Sequence, residues 1–107
     1  MAELLIKSIK CIRKDDPGLD KDETVVQVNS STVSGPHKLG KGQSVKLNYK
    51  RNFTGSVVVS LIEQDKGQDD LLGNVTIRDS QAGTGDRTAN FAFQQNADYT
   101  MTYRVNA

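Results

Sequence analysis

The sequence predicts an all-β domain, an antiparallel β-sandwich of seven to eight strands. Short apolar runs of period two recur along the chain, separated by Gly, Asn, Asp and Ser. β-Branched residues appear in nearly every run, and no window of a dozen residues keeps a helical apolar stripe. Turn signals return at roughly 8–12-residue intervals, the spacing of sandwich strands rather than of alternating strands and helices. A chain of 107 residues is long enough for one modest core, so residues 1–107 are expected to form a single domain.

The first element is "LLIKSIKCI", residues 4–12, which carries Cys11. A lone cysteine has no internal disulfide partner, and in an apolar stretch it reads as a buried structural thiol rather than a nucleophile. The opening "MAELLIKSIKCIRK" has charges every few residues. It therefore predicts neither a signal peptide nor a membrane span, and a soluble, cytoplasmic protein is the expectation.

"TVVQVN" (24–29) and "QSVKLNY" (43–49) follow, with "SGPHKLGKG" between them read as a loop. On that reading Pro17 and Pro36 both fall between strands, where a missing backbone donor does no harm. In "KLNYKR", alternation sends Lys46, Asn48 and Lys50 to one face and Val45, Leu47 and Tyr49 to the core. "GSVVVSLI" (55–62) and "LGNVTIR" (72–78) are the next pair of strands. In "RTANFAF" (87–93), Phe91 and Phe93 alternate with Asn90 and Ala92. "DYTMTYRV" (98–105) sets Tyr99, Met101, Tyr103 and Val105 against Thr100, Thr102 and Arg104, the pattern of a half-buried strand.

Net charge is +1, with no basic excess to track a phosphate backbone, so nucleic acid is not an expected partner. Placement carries more information than the total. Of thirteen acidic residues, Asp15, Asp16, Asp20, Asp22 and Glu23 fall within 15–23, and Glu63, Asp65, Asp69 and Asp70 within 63–70. Between Thr24 and Ile62 there is no acid, while Lys38, Lys41, Lys46, Lys50 and Arg51 give that stretch +5. A solvated polar loop would explain any single aspartate. Two crowded clusters repel themselves, and together they point to a hard-cation site, because calcium takes about 6–8 oxygen ligands from carboxylates, carbonyls and water. Neither cluster fits the twelve-residue helix-loop-helix calcium pattern.

No enzymatic chemistry is expected and no catalytic residue is assigned. His37 is the single histidine and has no nucleophile motif beside it. One His and one Cys cannot build tetrahedral zinc coordination, and "GTGD" (83–86) is a glycine-rich turn with no following helix to cradle phosphate.

At the two acidic stretches the chain resembles the C-two domain family, the calcium-dependent phospholipid-binding β-sandwich. "DPGLDKDETVVQV", from Asp16 to Val28, is similar to that family's first loop, an Asp, several residues including Gly, then another Asp and an alternating strand. "EQDKGQDDLLG" is similar to its third loop, with Glu63, Asp65, Asp70 and Gly73 in the family's order. The resemblance implies calcium as the cofactor, with Asp16, Asp22, Glu63, Asp65 and Asp70 as ligands. Asp22 and Glu23 compete for one of those roles, and Asp15, Asp20 and Asp69 are secondary candidates. Gly67 would make the turn that returns Asp70, and Gly73 would suit a backbone that a side chain hinders.

The implied partner is an anionic phospholipid or membrane surface, met by Leu19 at the first loop tip and by Lys46, Lys50 and Arg51. Two alternatives stand beside it. One is a small calcium-dependent lectin using Asn29, Asn74 and Asn96 on a glycan. The other is a structural or protein-interaction module that calcium merely rigidifies.

Overall fold

A computed structural model describes residues 1–14, 22–65, 68–93 and 97–107, without the side chains of Asp65 and Gln68. Its strands are β1 (Ala2–Arg13), β2 (Asp22–Val28), β3 (Ser31–Leu39), β4 (Ser44–Phe53), β5 (Ser56–Asp65), β6 (Gln68–Arg78), β7 (Asp86–Phe91) and β8 (Asp98–Asn106). They form two four-stranded antiparallel sheets, ordered β4-β1-β8-β7 and β3-β2-β5-β6. The fold is thus the expected all-β sandwich, with eight strands. No helix among the described residues is long and apolar enough to cross a membrane.

The core lies between the sheets. Leu4, Ile6, Ile9 and Cys11 of β1 and Tyr99, Met101, Tyr103 and Val105 of β8 face Val26 and Val28 of β2, Val57, Val59 and Leu61 of β5, and Leu72 and Ile77 of β6. In β1 the inward positions run 2, 4, 6 and then 9, 11. Period two is kept on either side of one extra residue in β1, a bulge between Ile6 and Ser8 in the pairing with β8; against β4 the register shifts at the same place with the additional residue on β4. Val45, Leu47 and Tyr49 of β4 pack partly buried against this core, while Lys46, Asn48 and Lys50 are exposed, as alternation predicts.

Three local expectations need correction. First, "SGPHKLGKG" is not a loop, because most of it belongs to β3, and Pro36 lies inside that strand. β3 is an edge strand, so a residue without an N–H can sit in it with no second neighbour to deprive. Its pairing with β2 shifts twice, and Gly35, at φ 104°, comes so near β2 that a Cβ there would stand 2.5 Å from the Thr24 carbonyl oxygen. Nearly every β3 side chain is at least partly exposed, which removed the apolar alternation that would have marked the strand.

Second, residues 63–70 are not a broad loop. β5 runs through Asp65 and β6 begins at Gln68, so Glu63↔Asp70, Gln64↔Asp69 and Asp65↔Gln68 are cross-strand pairs of one long hairpin. The turn assigned to Gly67 lies outside the described residues, as does Pro17. Third, β7 stops at Phe91, and Phe93 is exposed instead of continuing the buried alternation. Its N–H leaves the β7–β8 ladder and donates to the Leu72 carbonyl of β6, 2.9 Å away.

That bond ties the edge of one sheet to the edge of the other. Leu72 is the extra residue of a bulge in β6, between the pairs Leu61↔Gly73 and Ile62↔Leu71. Beside it, a Cβ on Gly73 would come within 3.1 Å of the Phe91 Cα, so glycine is what lets β7 close over β6.

Candidate metal centre

Registry brings one terminus of every strand to a common end. In one sheet Arg13 stands opposite Asp98, Lys10 opposite Ser44, and Phe91 opposite Tyr99. In the other, Asp22 stands opposite Leu39, Thr24 opposite Glu63, and Glu63 opposite Asp70. Both acid-rich stretches of the sequence therefore begin or end here, although they lie some forty residues apart in the chain. The 40–43 turn closes the same end, with Cys11 N–H donating to Gln43 O and Gly42 N–H donating to Cys11 O.

Among the described residues, the polar side chains buried in this sandwich besides its tyrosines are Asp22, Thr24 and Glu63. Asp22 is 0% exposed and Glu63 6%. All three occur where β2 and β5 reach this end. Their position follows from alternation: Asp22, Thr24, Val26 and Val28 share a face, as do Glu63, Leu61 and Val59, so the inward rows switch from valine and leucine to carboxylate in the last turn of sheet. Burying a carboxylate is costly unless it is paired or hydrogen-bonded. The Asp22 Oδ2 accepts a 2.5 Å hydrogen bond from the Tyr99 hydroxyl of β8, across the core from the opposite sheet. Thr24 Oγ1 donates to the His37 carbonyl.

Tyr99 is fully buried. Loss of hydration, then the Asp22 carboxylate and the neighbouring Cys11, push its phenol far above the ordinary tyrosine range, so it stays a donor. Burial also pushes the Cys11 thiol up, against the pull of its hydrogen bond with Tyr99. The thiol is thus the inert structural group that its sequence context suggests.

The candidate ligands fall into three groups. Asp22, Glu63 and Asp70 are brought to one end of the β3-β2-β5-β6 sheet, with Asp70 half-buried opposite Glu63. Asp69 is exposed beside Gln64, and Glu23 is half-buried opposite Lys38, one residue out of step with Asp22. Of the two competitors, the inward one is Asp22. Asp65 is placed on β5 by its backbone, two residues beyond Glu63, with its side chain outside the described residues. Asp15, Asp16, Leu19 and Asp20 lie wholly outside them.

Among the described residues no group of three or more His, Cys, Asp or Glu side chains is set to hold a metal ion. The donors gathered at this end are nonetheless all oxygen. His37, the one imidazole, pairs with the Ser34 hydroxyl at 2.7 Å on β3, and the Cys11 thiol is engaged with Tyr99. Carboxylates and a hydroxyl suit a hard cation such as calcium and disfavour zinc or copper.

The cationic candidates are spread along β4. Lys46 is near the acidic end, while Arg51, opposite Leu4, lies toward the other. Asn29, weighed for a glycan, sits at that far end and accepts from the Val58 N–H; Asn74 accepts from Ser60 in mid-strand, and Asn96 lies outside the described residues. Sequence reasoning missed Phe93, 71% exposed on the β7–β8 connection at the acidic end. Its alternation with Phe91 predicts a core position, but β7 ends at Phe91.

No family model and no curated protein matches the chain. Solved structures do. The C2A and C2B domains of Extended-Synaptotagmin 2 superpose with a TM-score of 0.58 at 14% identity over 97% of this chain, which spans 40% of that one. A calcium-bound form of the same two domains also gives 0.58, at 13% identity, over 97% of this chain and 44% of that one. A structure described as a C2 domain matches at 0.55 and 12% identity, over 99% of this chain and 97% of its own. At these identities the likeness concerns the fold, and the fold is that of a C2 domain, the C-two architecture that the two acidic motifs resemble.

Proposed function

We propose that this C2-fold chain binds calcium at its acidic end and, with calcium bound, associates with anionic phospholipid surfaces. The observation that carries the reading is the cluster of Asp22, Thr24 and Glu63, buried polar side chains where the apolar inward rows of β2 and β5 end. Asp70 faces Glu63 across the hairpin, and Asp16 and Asp65 complete the motif order in the sequence. Asp22 and Glu63 would hold the ion from neighbouring strands, with Asp70 and Asp65 from the hairpin and Asp16 from the segment before β2. Bound there, calcium would neutralise the carboxylates and offer remaining positions to phosphate oxygens. A calcium-bound structure of the same fold supports the choice of ion.

The lipid half of the reading draws on what surrounds that end. Phe93 offers an exposed aromatic ring there and Ile12, 41% exposed, a second apolar group near the end of β1. Fully burying a phenylalanine side chain contributes about 2–3 kcal/mol. Lys41, exposed on the 40–43 turn, and Lys46 add roughly 1 kcal/mol each near an anionic surface. Calcium titration calorimetry on the wild type and on Glu63→Gln and Asp65→Asn tests the metal site. Saturable heat in the wild type, lost or weakened at least about tenfold in both variants, supports it. Equal heats in all three proteins would refute it.

A further inference from the structure

We propose that Tyr99 is a positioning residue of the metal centre: its hydroxyl, delivered from the opposite sheet, sets the orientation of the Asp22 carboxylate toward the ion. The inference rests on the calcium reading above and deepens it by adding a group that touches no metal. Tyr99 and Asp22 are 77 residues apart in the chain and belong to different sheets, yet Tyr99 donates to Asp22 Oδ2 at 2.5 Å with both side chains 0% exposed.

The tyrosine end of the bond is held from several sides. Tyr99 is paired with Cys11 on β1 and Phe91 on β7, and both neighbours are fully buried. Its carbonyl accepts from the Asn90 amide, which also donates to Asp98 at the start of β8. A packed phenol ring has no free torsion that can move its oxygen far. The carboxylate end is a short side chain at the first residue of β2, and this hydrogen bond holds one of its oxygens. With Oδ2 held at the hydroxyl, the positions open to the other carboxylate oxygen are restricted. A ligand set in advance loses less freedom when the ion arrives, which is why partners of metal ligands affect affinity without touching the metal.

A buried hydrogen bond with a purely structural role would act differently. It would stabilise the apo protein and leave calcium affinity alone. The fold supplies a matched control at its other end, where the Tyr103 hydroxyl donates to Gln81 Oε1 at 2.9 Å, on the short 3-10 turn Asp79–Gln81 between β6 and β7.

The experiment is calcium titration calorimetry on the wild type, Tyr99→Phe and Tyr103→Phe, with each protein's melting temperature in EDTA measured alongside. The expected result is a calcium Kd raised about tenfold or more in Tyr99→Phe and unchanged in Tyr103→Phe, whatever either variant does to the apo melt. A Tyr99→Phe Kd within about twofold of wild type, beside clear wild-type binding, overturns the positioning role and leaves the calcium reading standing. No calcium binding by the wild type overturns both. If Tyr99→Phe does not fold, the wild type decides by carbon-13 NMR of its three labelled tyrosines. The Tyr99 ring carbon bearing oxygen must shift along the calcium isotherm while those of Tyr49 and Tyr103 stay in place, and a stationary Tyr99 signal overturns the proposal.

Discussion

The Tyr99 hydroxyl and the Asp22 carboxylate share a hydrogen bond in the dry interior, so removing the acceptor strands a buried donor. Asp22→Ala should therefore destabilise the metal-free protein by about 1–3 kcal/mol in urea unfolding, even where no calcium is present to lose. A different outcome is expected at Asp86, on the surface, which accepts from Lys7 and Arg104 at 2.9 Å each. The Lys7 hydrogen bond, helped by the charge of Arg104, holds its carboxyl below the usual carboxylate range. A lowered folded pKa means that this stabilisation is present above the unfolded value of 3.8 and is lost as pH falls through the lower folded value. In Asp86→Asn, the melting temperature should accordingly fall less steeply with acid below about pH 4 than in the wild type.

At the scale of the strand, one close approach is where β7 crosses β6. Gly73→Ala places a methyl group 3.0–3.1 Å from Phe91, including its backbone Cα, and one of the two strands must move. A loss of about 1–3 kcal/mol in denaturant unfolding is the expected outcome. Several elements were legible in the sequence because one face of each is buried. β8 alternates through Tyr99, Met101, Tyr103 and Val105, and all four are in the core. β1 was legible as a strand, but not its change of phase, since Leu4 and Ile6 followed by Ile9 and Cys11 require an inserted residue that simple alternation does not contain. β3 was illegible, because an edge strand with little burial carries no apolar period and its proline reads as punctuation.

The candidate site divides along the same line. Asp22 and Glu63 could be named from motif order, and their placement followed from counting residues by twos. That the carboxylates stand on paired strands and not on an open loop depends on the length of the β5–β6 hairpin, which polar residues do not advertise. Tyr99 carried no sign of its role. Its ring fits the apolar pattern, and its partner lies across the sandwich. Phe93 misled by continuing the alternation one step beyond the point where β7 ends.

The molecule as a whole has almost no net charge, and among the described residues Asp22, Glu23, Glu63, Asp69, Asp70 and Asp98 gather at one end of the sandwich, where Lys38, Lys41 and Lys46 also lie. Without calcium those carboxylates oppose the attraction of the neighbouring lysines to an anionic membrane, and bound calcium would neutralise them. Sedimentation with phosphatidylserine-containing vesicles should accordingly require calcium. Phe93→Ala should weaken it about tenfold or more while leaving calcium binding in the absence of lipid unchanged, since burial of that ring contributes about 2–3 kcal/mol. Equal sedimentation of Phe93→Ala and wild type would remove Phe93 from the lipid contact.

The most direct measurement is the thermal melt of the wild type in excess EDTA, in about 1 mM calcium and in about 1 mM magnesium. At a hundred times its dissociation constant, a ligand confined to the folded state stabilises by about 2.7 kcal/mol, roughly 10 °C or more for a domain of this size. A rise of that order is expected with calcium and little with magnesium, whose smaller octahedral shell suits a set of several carboxylates less well. Identical melts in EDTA and calcium would contradict the calcium site and leave the buried Asp22 and Glu63 as structural groups of a metal-independent sandwich.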